Sequence, residues 1–488
     1  MQAEPGAPRT LPDWLWQKRR QRTLALRHRD AEWTYADLGE IAARLAGELA
    51  ARGVRPGERV AVLARHAAVF TAALHALRFC RAVAVPVNVR LAAPEIAWQL
   101  ADAGARFAVC DEAHAGLLRQ AADGLPRLVL DGVRFPEGEA LWALEVALSD
   151  VQSIVYTSGT TGRPKGARIT YGNHFYGAAG SAFRLGVLPA DVWYTPLPLF
   201  HVGGQAVLMR SAVYGTAARI DDSFDPARAN AALDAGAALC SAVPNMLVRM
   251  LEERGARPYP ASLRCILLGG GPAPRPLLAA CAGRRIPVSQ SYGLTEANSQ
   301  AATLAAADGE RKLGSAGLPL PLTEVRIVAG GAAAPPFAEG EIALRGPTVA
   351  DGYDHLEAET GAAFRDGWLY TGDIGYLDDE GYLYVLDRRS DLIVSGGENV
   401  YPAEVEAVLL AHPDVAEAGV AGVADGRYGQ VPLAVVRPRG QAPAEEELRA
   451  FCRARLAAYK VPRHIRFADE LPRNAAGKLL RKELGRWL

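Results

Sequence analysis

Apolar positions in the first 110 residues switch between two spacings. Over 36–52 they recur at helical intervals, and at 59–64 (RVAVLA) they form a short run behind the turn pair Pro56 and Gly57. Helical spacing resumes over 67–80, followed by a strand-like run at 82–89, a helix over 92–103 and a strand at 106–110. Strands alternating with helices predict a parallel α/β sheet. The same grammar returns at 153–156 and 264–268, where short apolar runs enter glycine-containing loops.

Further on, 325–328 and 341–345 read as antiparallel-type strands of a β-rich segment, and 381–386 as another strand. The pattern then breaks at 387–391. Beyond the break come a short strand at 392–394, the turn SGGENVYP and a helix opening at Pro402, a residue suited to the first helical turn. Glu404 and Glu406 fall near the positive end of that helix, and Val405, Val408 and Leu409 form its apolar stripe. The expected architecture is α/β. A large N-terminal domain (1–387) combines parallel-type sheets with a β-rich subdomain, 388–390 is the junction, and 391–488 is a small α+β domain.

The chain has 488 residues, half of them apolar, and zero formal net charge. That balance suits a large buried core and provides no clustered positive field for nucleic acid or anionic membrane. No stretch of about 20 apolar residues occurs, so no membrane insertion is expected. The first 20 residues lack the apolar segment of a secretory signal. The six cysteines form no CxxC pair and no zinc spacing, and they read as buried free thiols of a reducing, cytoplasmic compartment. Only six lysines are present, so a lysine inside a motif carries some information.

Four of the motifs hold candidate chemistry. At 156–167, YTSGTTGRPKGA sets glycines, hydroxyls and Lys165 behind a strand. Backbone N–H groups and hydroxyls of such a loop wrap phosphates, and Lys165 adds a cation; the spacing is not that of a Walker loop. At 290–297, QSYGLTEA supplies a tyrosine to stack on a purine, a threonine for phosphate and a glutamate for Mg2+. A buried tyrosine and a structural glutamate are the plain alternative. At 370–375, YTGDIG places Asp373 between glycines on an expected turn, either to accept ribose hydroxyls or as an Asx turn. Arg388 follows at the junction, to bind ribose or phosphate or to pair with an acid. At 472–479, PRNAAGKL carries Lys478, which taken alone reads as a surface charge.

Together with DRRSDLIVSGGENVYPAEVE, these motifs in this order resemble the adenylate-forming superfamily of acyl- and aryl-CoA synthetases, luciferases and peptide-synthetase adenylation domains. The resemblance covers nearly the whole chain. It implies activation of an acid as its adenylate, with ATP, Mg2+ and CoA as cofactor and cosubstrates. It assigns the β- and γ-phosphates to the loop of Thr157, Ser158, Gly159, Thr160, Thr161, Gly162 and Lys165. Tyr292, between Ser291 and Gly293, matches the adenine-stacking residue; Thr295 the α-phosphate contact; Glu296 the Mg2+ ligand. Gly270, Gly271 and Pro272 match the segment flanking adenine and the acid pocket. Asp373 and Arg388 match the ribose pair, and Lys478 the lysine that bridges acid and α-phosphate.

The resemblance also implies a mobile small domain that turns about Ser390, withdrawing Lys478 and bringing in the loop at 395–400 with Gly396 and Gly397. Relatives often carry Asp or Lys where Ser390 stands. His201, in PLFHVGG, matches the gate of the pantetheine path, and Lys460, in AAYKVPR, is a candidate for CoA or domain docking.

The stretches between motifs resemble the o-succinylbenzoate-activating branch of the superfamily, so an aromatic acid is the expected small-molecule partner. Its second carboxylate needs a polar or cationic contact when buried. Asn245, Ser299 and Arg210 are the candidates, with an ordinary surface charge as the other reading of Arg210. Broader aryl- or medium-chain acyl-CoA ligases, carrier-protein loading and a silent nucleotide-binding homologue are the competing readings. The oligomeric state, a homo-oligomer included, stays open.

Overall fold

The computed structural model describes residues 10–488 except 30, 158–163, 271–272, 274, 388–392, 401 and 473–480. Local sequence accounts for its first helices. Tyr35–Ala51 is opened by a capping box in which Thr34 and Asp37 satisfy each other's backbone N–H groups. Ala67–Phe79 is buried along its whole length, its mainly apolar residues carrying Thr71, His75 and Arg78 into the interior with them.

Among the described residues the large domain holds three large sheets, two mainly parallel and one antiparallel, and a two-stranded antiparallel pair of Thr10–Pro12 with Glu145–Ala147. The first runs in the order Lys165–Thr170, Val151–Thr157, Val83–Pro86, Arg59–Leu63, Phe107–Asp111 and Arg127–Leu130. Only its edge pair is antiparallel, with Lys165 opposite Thr157, so the motif at 156–167 is the end of a hairpin. The second sheet has nine strands, with Cys265–Leu268 and Val288–Tyr292 adjacent and parallel near one end. Its crossover helices include Val202–Tyr214. The third sheet is antiparallel and contains Glu324–Ala329, Gly340–Arg345, Trp368–Leu377 and Leu383–Asp387.

The small domain has a five-stranded sheet built on the long antiparallel pair Val415–Asp425 and Gly429–Pro438. His464–Phe467 joins it in parallel, and helices Pro402–Leu410 and Glu445–Arg453 contribute to its separate core. All six cysteines are buried and free. No described helix is long and apolar enough to cross a membrane.

One expectation is corrected. The YTGDIG motif is not a turn but part of the ten-residue strand Trp368–Leu377. Gly375 answers to packing, since a Cβ there would lie 2.5 Å from the Tyr384 carbonyl oxygen, and Gly372 answers to its backbone, with φ +75°. Glu404 lies in the first turn of helix Pro402–Leu410, as expected, and both glutamates also take side-chain partners. Glu404 binds Lys460, and Glu406 binds Arg481 and the Val420 N–H.

Candidate active site

A cleft opens where the three sheets of the large domain meet the small domain. Thr157 and Lys165 reach it from the hairpin, Thr295 and Glu296 from a short 3-10 turn, and Asp373 from the third sheet. The turn follows strand Val288–Tyr292 and reverses through Asn298 (φ +50°) and Ser299 (φ +86°). Two successive left-handed non-glycine residues are costly, and tertiary bonds hold them: Asn298 donates to the Asn173 carbonyl at 2.8 Å, and Ala301 N–H to the Tyr292 carbonyl at 2.8 Å. The fold back is tight enough that a Cβ on Gly293 would sit 1.7 Å from the Ser299 carbonyl oxygen.

The side chains of the cleft are braced in pairs. Tyr292 donates its hydroxyl to Asp373 at 2.7 Å in a buried bond. Tyr353 donates to Glu296 at 2.8 Å, and the Lys165 ammonium lies 5.0 Å from the centroid of the same ring. Glu296 is 8% exposed, with its carboxylate at the cleft wall. An ammonium, a hydroxyl and a braced carboxylate on one cleft can hold a polyphosphate together with a divalent cation.

A second pocket adjoins the first and shares Thr295 and His201 with it. Arg210, Ser291, Ser299, Gly270 and Phe224 line it. The surface-charge reading of Arg210 is overturned, because this residue is 3% exposed. It lies one turn from the end of Val202–Tyr214, with its guanidinium 5.5 Å from the Trp193 ring centroid. No carboxylate forms an ion pair with it among the described residues, and its Nη2 is buried without a partner there. Burial lowers its pKa. A buried, unpaired cation facing a pocket is a site for an anion.

The small domain closes this pocket with a hairpin of Ile393–Ser395 and Glu398–Val400. Gly396 (φ +60°) and Gly397 (φ +87°) make the turn and border the second pocket. Glu398 is 3% exposed, pairs with Arg90, and accepts a bond from His201 at 2.9 Å. Burial alone would push its carboxyl up, but His201 and Arg90 more than offset this and hold it below the usual range. Asn88 donates to Tyr459 at 3.0 Å, and Lys460 reaches Glu95 at 3.0 Å, so the segment from 88 to 95 meets the small domain at three points.

Ser158, Gly159, Thr160, Thr161, Gly162, Gly271, Pro272, Arg388, Ser390 and Lys478 lie outside the described residues, as does the side chain of Asn245. Sequence reasoning missed Arg90, Glu95, Tyr353 and Glu398. Only Glu398 carried a local signal, an acid directly behind two glycines in SGGENVYP.

A family profile described as AMP-binding enzyme matches residues 14–354, and one described as AMP-binding enzyme C-terminal domain matches 404–478. The chain is 51% identical over 483 residues to a 2-succinylbenzoate–CoA ligase of Geobacillus kaustophilus (strain HTA426), covering 98% of each. It superposes on a double mutant of o-succinylbenzoate CoA synthetase from Bacillus subtilis bound to the product analogue OSB-NCoA, with a TM-score of 0.93, 41% identity, and coverage of 98% and 99%. On the Bacillus subtilis synthetase in complex with ATP and magnesium ion the TM-score is 0.76, at 42% identity and coverage of 98% and 100%.

Proposed function

The chain belongs to the AMP-binding enzyme family, and from that premise we propose that it is an AMP-forming ligase that joins 2-succinylbenzoate to CoA in menaquinone biosynthesis. The observation that carries the choice of acid is Arg210, a buried guanidinium with no acid of its own among the described residues, in the pocket beside the nucleotide cleft. A dicarboxylate supplies what Arg210 lacks: one carboxylate pairs with it while the other faces the α-phosphate. Ser299 lines the same pocket, and we assign Asn245 with it to the second carboxylate.

In the first step the succinyl carboxylate attacks the α-phosphorus of ATP and pyrophosphate leaves. Two anions approach, so the residues in reach must offset charge. We assign the β- and γ-phosphates to the loop of Thr157–Gly162 with Lys165, the α-phosphate to Thr295 and Lys478, and the nucleoside to Ser291, Tyr292, Gly293, Asp373 and Arg388, beside Gly270, Gly271 and Pro272. The braced Glu296 carboxylate would hold a Mg2+ ion, which would supply charge neutralisation.

In the second step the CoA thiol attacks the adenylate carbonyl and AMP leaves. We assign this step to the arrangement described here, with Glu398 on His201 and Gly396 and Gly397 over the acid pocket. The higher superposition on the product-analogue complex supports that reading. The change of arrangement turns about Ser390, between a large domain ending at 387 and a small domain starting at 391.

Pyrophosphate exchange over a panel of acids tests the activity. Exchange with 2-succinylbenzoate and thioester formation on free CoA are expected. Turnover of benzoates or fatty acids without 2-succinylbenzoate makes it a broader acyl-CoA ligase, and transfer only to a phosphopantetheinyl protein makes it a carrier-loading enzyme. Lys478→Ala is expected to lower exchange about 10²–10³-fold, as loss of one transition-state donor does, and to leave conversion of supplied acyl-adenylate intact.

A further inference from the structure

Lys460 lies where the two domains meet, and its ammonium serves one acid from each. It binds Glu404 of its own domain at 2.7 Å and Glu95 of the large domain at 3.0 Å. The side chain of Lys460 is 5% exposed and those of both glutamates are 12% exposed. Two carboxylates on one ammonium leave a net negative charge out of water. One Glu404 oxygen has no partner among the described residues. Burial pushes the Glu95 carboxyl up, and Lys460 offsets this only in part.

The two bonds differ in permanence. Glu404, on helix Pro402–Leu410, and Lys460 belong to the small domain and travel with it. Glu95 stays on the large-domain helix Ala93–Asp102, where its other oxygen accepts the Ala92 N–H at 2.9 Å. The Glu95–Lys460 bond therefore exists only when the domains are docked as here. It forms beside Asn88–Tyr459 and Arg90–Glu398, the contacts that seat the 395–400 hairpin over the acid pocket.

We propose that Glu95 is a positioning residue for the thioester step. It captures Lys460 when the small domain docks, and Glu404, by sharing the same ammonium, weakens that capture so that the domain can leave again. The proposal rests on the two-step reading above. It gives opposite signs to the two glutamates. Without Glu95 the interdomain attraction is lost. Without Glu404 the docked cluster becomes a neutral pair, and docking no longer buries an excess negative charge.

The two half-reactions, read separately in the full-length enzyme, test it. Glu95→Gln keeps the volume of the side chain, and its amide oxygen can still cap Ala92. It is expected to slow conversion of supplied acyl-adenylate by CoA about tenfold, equal to ~1.4 kcal/mol of docking, with pyrophosphate exchange within about twofold of the parent. Glu404→Gln is expected to keep the CoA step at or above the parent rate and to slow exchange about threefold or more, because the enzyme dwells docked. Parallel loss of both half-reactions in either variant, or no effect of Glu95→Gln on the CoA step, overturns the proposal. If the parent exchanges pyrophosphate only with another acid, the choice of acid falls while the same split is read with that acid.

Discussion

His201, on the large domain, donates a hydrogen bond of 2.9 Å to Glu398, which the small domain carries 197 residues further along the chain. Arg90 holds the other oxygen of the same carboxylate. A buried carboxylate between two donors from the opposite domain ties the docked arrangement to the site itself. Hydrogen bonds to charged groups contribute about 1.5–3 kcal/mol. Glu398→Ala is therefore expected to slow the CoA half-reaction ~10–100-fold while pyrophosphate exchange stays near the parent rate. Single-turnover assays of each half-reaction separate the two effects.

Arg210→Met removes the buried cation without emptying its volume. The KM for 2-succinylbenzoate is expected to rise ~10–100-fold, the loss of one charge-assisted contact, while an analogue lacking the ring carboxylate is bound as well as before or better. The substrate-free variant is expected to be at least as stable as the parent, because an unpaired buried charge has been removed. Equal KM shifts for both acids would show that Arg210 does not read the second carboxylate.

At Gly293 the constraint is steric. An added methyl meets the Ser299 carbonyl at 1.7 Å, and backbone cannot step aside as a side chain does. Gly293→Ala is expected to cost about 1–3 kcal/mol and to displace the turn that carries Thr295 and Glu296, so that exchange falls and the KM for ATP rises. Gly116, with nothing within 4 Å of its added Cβ, is the control. Gly116→Ala, on helix Ala115–Ala121, is expected to leave activity unchanged and stability equal or higher in thermal unfolding.

The buried histidines contribute to the loss of stability in acid. His174 is 2% exposed, bonded to Gln152 at 3.0 Å, and its pKa is lowered to about 3 by burial, with Arg210 adding to the effect. His75 is lowered well below the ordinary value for the same first reason. The unfolded chain takes up these protons near pH ~6.5 and the folded chain does not, so stability present above that pH is lost as pH falls from there toward 3. Each such histidine contributes a slope of up to ~1.4 kcal/mol per pH unit in that window. His174→Gln is expected to flatten the loss between neutral pH and pH ~5, read as urea midpoints at the two values.

The elements were legible wherever periodicity is local. The helices read at 36–52 and 67–80 stand as Tyr35–Ala51 and Ala67–Phe79, because an amphipathic or mainly apolar run reports its own burial. The strand around Asp373 was not legible. Its flanking glycines look like turn residues, and only the pairing of Trp368–Leu377 with neighbours on both sides shows that Gly375 makes room for backbone and for Ile342. Arg210 was ambiguous for a related reason. An arginine in an otherwise apolar helix reads alike whether it faces water or a pocket.

By itself the sequence determined the α/β plan of a large and a small domain and the family's nucleotide chemistry, because each group assigned to phosphate or nucleoside sits in a contiguous motif. Tertiary structure decided what no motif contains: that Arg210 is buried without an acid, that Glu398 reaches His201, and that Lys460 is shared between Glu95 and Glu404. These are electrostatic facts. The strength of a charge depends on the water removed from it and on partners hundreds of residues away, and both are set only when the domains close on one another.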